Sequence, residues 1–142
     1  MEESTEERIN WLVVSNLGWI APIIVAAYFG QTFWAVVALT MGCLSVYYHI
    51  TNTRLAEYVD TGFAVIYIFV GPWMLWHVGF THQTIFSIAI FCGAFFLYVN
   101  SIRCRILKQD AQYIVNHSLW HVCTASTTAF VYWTYFSFLV SG

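Results

Sequence analysis

Five residues in this chain have the types and spacings that chemistry requires. Ser45 and His49 lie four apart at the end of one hydrophobic run, and Asp60 opens the next. His117 and His121, again four apart, open the last one. Three imidazoles, a carboxylate and a hydroxyl are the parts of a site in which zinc activates water. Members of an i, i+4 pair project from one helix face, so His117 and His121 can present two nitrogens to one ion and His49 a third. Three protein ligands with one open position mark a catalytic rather than a structural zinc centre. Asp60 then serves as general base and later proton donor, or orients a ligating histidine. Ser45, a turn deeper than His49, is placed to donate to the oxyanion that forms when water attacks a carbonyl.

Each residue also has a bland explanation. Asp60 near a helix start can be a cap or a first-turn acid complementing the dipole. A His-x-x-x-His pair recurs by chance in helices, and Ser45 in a membrane helix ordinarily bonds back to its own i−4 carbonyl. His77 and His82 read as interfacial. Tyr47, Tyr48, Tyr58, Tyr113 and Trp120, with Trp73, Trp76 and Trp133, read mostly as aromatic belt or packing. What the bland readings leave to accident is a shared membrane face, which follows from the elements that carry the five residues.

Those elements are apolar. Of 142 residues 60% are hydrophobic and only 8% charged, with a mean hydropathy of +0.68, which places the chain among integral membrane proteins. A bilayer core of about 30 Å needs roughly 20 apolar residues per helix. By that measure the chain is one all-α transmembrane domain over residues 1–142, with five spans at about 10–30, 32–50, 55–79, 84–102 and 112–140. No Lys, Arg, Asp or Glu lies between Ile9 and Thr53, between Thr61 and Ile102, or after Asp110. The acidic start (Glu2, Glu3, Glu6, Glu7) is wrong for a cleaved signal peptide, so the first run is expected to stay in the mature protein. Nothing is basic enough for nucleic acid. Cys43, Cys92, Cys104 and Cys123 form no CxxC pair and read as small hydrophobes.

The connections at Gly30–Gln31 and Thr81–Gln83 are short, so neighbouring helices must be antiparallel. Pro22 and Pro72 fall inside spans, where kinks are tolerated. Arg8, Arg54, Arg103, Arg105 and Lys108 then all fall on one side, which the positive-inside rule makes cytoplasmic, with the N-terminus in. The same crossings put Ser45, His49, Asp60, His117 and His121 within about two helical turns of that cytoplasmic face. A scissile bond just below the lipid headgroups fits that depth, as in a lipid amide or ester.

The order Ser-x-x-x-His, Asp, His-x-x-x-His, carried by SVYYH (45–49), YVD (58–60) and HSLWH (117–121), resembles one superfamily. It holds the alkaline ceramidases, the progestin and adipoQ receptors and related membrane hydrolase-like proteins. The resemblance implies zinc on His49, His117 and His121 with Asp60 and Ser45 near the bound water, and ceramidase-like hydrolysis of a lipid amide. Other branches imply a non-catalytic lipid sensor or membrane-remodelling protein with zinc as a clamp. Members usually have seven spans with the histidine pair in the seventh. Five spans preserve the direction of the last helix but not a complete pocket, and a homo-oligomer would supply the missing wall. Two further classes have less to recommend them: a b-type haem protein leaves Asp60 and one adjacent histidine unexplained, and a proton relay or channel needs no such cluster.

Overall fold

The structure is a computed structural model describing residues 5–141, with side chains from Asn10 onward. Glu2 and Glu3, and the side chains of Glu6, Glu7 and Arg8, lie outside what is described. All regular structure among the described residues is helical: α1 (Thr5–Ser15), a 3-10 turn (Asn16–Trp19), α2 (Ile20–Tyr28), α3 (Thr32–Thr51), α4 (Arg54–Val78), α5 (His82–Ile106) and α6 (Asp110–Ser141). Four helical stretches, Asn10–Tyr28, Thr32–Thr51, Arg54–Val78 and His82–Ile106, are long and apolar enough to cross a membrane. They fit a multi-pass membrane protein. Their outer faces carry large apolar side chains such as Phe69, Trp76, Phe86 and Phe96, which a bundle in water would have to hide.

Pro22 explains the break in the first rod. It has no N–H to offer the carbonyl four residues back and its ring crowds that carbonyl, so the preceding turn tightens to 3-10 form. The Asn16 and Ser15 side chains take up the Leu12 carbonyl at 2.8 and 2.9 Å. Gly30 at φ 67° makes the turn into α3, and Gly79 at φ 83° ends α4. Asn52, also left-handed, closes α3 by giving its N–H to the Tyr48 carbonyl. Thr53 caps α4, its hydroxyl accepting from the Ala56 N–H.

The first expected span, 10–30, begins earlier, at Thr5, and is broken into α1, the 3-10 turn and α2, while the later helices start and stop within about a turn of their expected ends. Among these the largest change is in α5, which runs on to Ile106 and so carries Arg103 and Arg105 in its last turn, where cations suit the helix dipole. At 32 residues, α6 is longer than a bilayer requires, yet it is not among the four apolar stretches. It packs against α1, α2, α4 and α5, and His117, His121, Thr127, Thr128 and Thr134 lie on its buried face. Gly18 and Gly42 are where the first rod fits closely. A Cβ at Gly18 would meet Ala125 Cβ at 3.3 Å, and one at Gly42 would meet Trp19 Cβ at 3.1 Å. Lower in the core, the Tyr67 and Tyr132 hydroxyls bond to each other. By contrast, α4 and α5 scarcely touch although only three residues join them.

Candidate metal centre

The C-terminal end of α3, the start of α4, the end of α5 and the start of α6 share one end of the bundle. Arg105 ties three of them, its Nη1 donating to Glu57 Oε1 at 2.8 Å and to the Tyr48 hydroxyl at 3.2 Å. Beneath that surface His49, His117 and His121 meet. One ring nitrogen from each lies within 4.8 Å of the others, and His49 Nε2 stands 2.9 Å from His121 Nε2. All three are buried, His121 to 2% exposure. The rings stand nearly perpendicular to one another at centroid distances of 4.7 to 5.1 Å. Ligand nitrogens of a tetrahedral zinc sit roughly 3.3 Å apart, given bonds of about 2.0–2.1 Å. The triad brackets that spacing.

Whether an ion fits turns on which nitrogens are free for it. Ser101, fully buried on α5, donates its hydroxyl proton to the Tyr98 carbonyl at 2.7 Å. Its oxygen, 3.3 Å from His117 Nδ1, is then the acceptor there, which puts the ring proton on Nδ1 and the lone pair on Nε2. His117 Nε2 is buried with no hydrogen-bond partner. A buried, unpartnered lone pair in a cluster of imidazoles is what a cation would complete. The donor set fits zinc.

Ser101 was not among the residues singled out from sequence. Its type was visible, but the pairing joins α5 to α6 across a bend, and no spacing rule predicts it. Ser101→Ala frees His117 to take the other tautomer or to rotate. Metal affinity is expected to fall by about 10–100-fold, as for other outer hydrogen-bond partners of a ligand. Competition with a calibrated chelator measures it, and an unchanged affinity would show that packing alone orients His117.

Asp60 lies in the second turn of α4 at 8% exposure. The capping explanation fails for it, because Thr53 is the cap and Glu57 the first-turn acid. It is not one of the grouped ligands. Ser45 lines the same cavity as Asp60, its buried hydroxyl without a hydrogen-bond partner. The bond back to the i−4 carbonyl that Ser45 was expected to make is absent. Two cavities meet at Asp60. One, about 370 Å³ and almost wholly apolar, runs down between α4, α5 and α6 and includes Ser45 and His121 in its wall. The other, about 220 Å³, opens upward past His117, Tyr48, Glu57 and Arg105. Asp60, Tyr98 and Trp120 belong to both.

No protein-family model, curated protein or solved structure matches this chain. The site itself therefore has to carry the functional reading. Of the aromatic residues read as belt or packing, three wall the triad. Tyr113 and Trp120 pack on the His117 ring and Tyr48 on the His49 ring, at 4.8 to 5.2 Å. Tyr47, Tyr58, Trp73, Trp76 and Trp133 do face outward. His77 and His82 lie at the other end of the bundle, His77 bonding to the Trp73 carbonyl at 2.8 Å. All four cysteines are free thiols.

Proposed function

We propose that the protein is a zinc-dependent intramembrane hydrolase that cleaves a lipid amide, in the manner of the alkaline ceramidases. The observation that carries this reading is the buried triad with a carboxylate and a hydroxyl beside it, between an apolar and a polar cavity. His49, His117 and His121 would hold the ion. Zinc, when bound, supplies a Lewis acid that polarises a carbonyl and makes water a nucleophile near neutral pH. Asp60 takes a proton from the attacking water as the new C–O bond forms and returns it to the amide nitrogen as the C–N bond breaks. Ser45 donates to the carbonyl oxygen while its charge develops. A fatty acid and an amine result, with atoms balanced by one water.

In this reading α6 is a fifth crossing and the N-terminus is cytoplasmic. Arg54, Arg103, Arg105 and Lys108 flank the triad's end, while the connections at the opposite end carry no Lys or Arg. A charge-poor α6 that buries its polar face against other helices and turns Val115, Leu119, Val122 and Trp133 outward suits such a crossing. The polar cavity faces the headgroups and the apolar one lies in the hydrocarbon. With two crossings fewer than the superfamily's usual seven, the thin contact between α4 and α5 leaves the apolar cavity open to lipid there.

Detergent-purified protein is expected to contain about one zinc per chain and to release fatty acid from at least one N-acyl lipid in a panel of amides and esters. Metal at that ratio with no turnover on any panel member would eliminate the enzymatic reading and leave a zinc-clamped lipid sensor or remodelling protein.

A further inference from the structure

The wall of the polar cavity carries a cation with no part in the proposed hydrolysis. Arg105, in the last turn of α5, stands there with Asp60 and His117. Its guanidinium makes both of its hydrogen bonds through Nη1, to Glu57 Oε1 at 2.8 Å and to the Tyr48 hydroxyl at 3.2 Å. Among the described residues none accepts from Nε or Nη2. Those two nitrogens form an edge of the fork that matches the paired oxygens of a carboxylate or phosphate. With 51% of its side chain exposed, Arg105 is within reach of a ligand. Glu57 shows that a carboxylate bonds well at this place, and at 37% exposure its pair with Arg105 is of the weak, exchangeable kind.

The height of Arg105 above the triad is set by α5. Ser101, 3.3 Å from His117 Nδ1, comes four residues earlier, so Arg105 stands about 6 Å higher along the helix, on the side away from the apolar cavity. A chain in the apolar cavity and an amide beside Asp60 leave the amine side of the molecule to enter the polar cavity. A short linker, such as two carbons and a phosphate, covers that distance.

We infer that the polar cavity binds an oxyanion, a phosphate or a carboxylate, carried on the amine side of the lipid amide, and that Arg105 recognises it through Nε and Nη2. Glu57 holds the guanidinium over the cavity, and as a like charge beside the ligand it opposes binding. Arg105 is a specificity-determining residue, remote from the reacting bond. The inference rests on the lipid-amidase reading for which end of the ligand enters, but its test requires no turnover.

Alkyl ureas of one chain length mimic the amide and resist hydrolysis. Three of them, with a hydroxyethyl, phosphoethyl or carboxymethyl group on the far nitrogen, are titrated into the purified protein in neutral detergent against a fluorescent alkyl urea. Dodecanoic acid is a fourth ligand. The wild type is expected to bind at least one anionic urea about ten-fold tighter than the neutral one, and the better of the two identifies phosphate or carboxylate. Arg105→Gln should bring that ratio close to one, and Glu57→Gln should raise it. Both variants break the same ion pair, so a merely structural role would shift them in the same direction. Arg103→Gln, on the same helix but outside the cavity wall, should leave the ratio as it is. No preference in the wild type, a preference that survives Arg105→Gln, or a fall in both variants overturns the inference. So does an equal loss of dodecanoic acid binding in Arg105→Gln, which would make Arg105 a holder of the released acid. A preference without zinc or hydrolysis would end the enzymatic reading and leave this one standing, and hydrolysis without a preference would do the reverse.

Discussion

Replacing His121 with alanine is expected to remove zinc from the protein, lowering it from about one equivalent per chain to background, and to abolish fatty-acid release. Loss of an outer hydrogen-bond partner weakens a zinc site by about 10–100-fold, and loss of a ligand itself should exceed that. His121 is the strongest choice among the three because it is the most buried and its Nε2 lies 2.9 Å from that of His49. Without it the remaining pair comes from separate helices, His49 on α3 and His117 on α6, with no third nitrogen to close the set. His77→Ala is the control, since that ring sits at the other end of the bundle and should leave the metal untouched. Helical circular dichroism and a single gel-filtration peak separate metal loss from unfolding. Zinc retained at one equivalent in folded His121→Ala would end the assignment of the triad.

The convergence of the triad was legible in the sequence because it depends on little more than counting crossings. Short connections at Gly30 and Thr81 force antiparallel neighbours, and each pair at i, i+4 fixes a face. His49 at the end of one helix and His117 at the start of another then share an end of the bundle, whatever the packing angles. Asp60 was placed by the same count. Its burial was not legible, because a carboxylate near a helix start is ordinarily a cap. Only the finding that Thr53 and Glu57 fill those roles removes the ordinary explanation.

Contacts that depend on helix rotation were hidden. Tyr48, Tyr113 and Trp120 have the composition of a membrane belt, and which aromatic residues turn inward depends on how α6 seats against α3 and α5. Ser101 was invisible for a related reason. A hydroxyl in an apolar run looks the same whether it bonds to its own backbone, to a histidine on another helix, or to nothing. The two faces of α6 were hidden likewise: Thr127, Thr128 and Thr134 lower its apolarity yet lie buried, while Val115, Leu119 and Val122 face outward.

Asp60→Asn separates the chemistry from the scaffold. Asparagine keeps the shape of the side chain and its place opposite Ser45 but cannot take a proton from water. Because Asp60 stands outside the grouped ligands, the variant should bind zinc as the wild type does. Loss of general-base assistance should lower turnover by about 10²–10⁴-fold, with the effect in kcat rather than in KM. Three outcomes are distinguishable by measuring metal and hydrolysis on the same preparation. Metal kept with turnover lost supports Asp60 as the proton carrier. Loss of both assigns it to holding a histidine or the ion. Full turnover with full metal would exclude Asp60 from the reaction and leave it a structural role beside the triad, with the proton carried by another group.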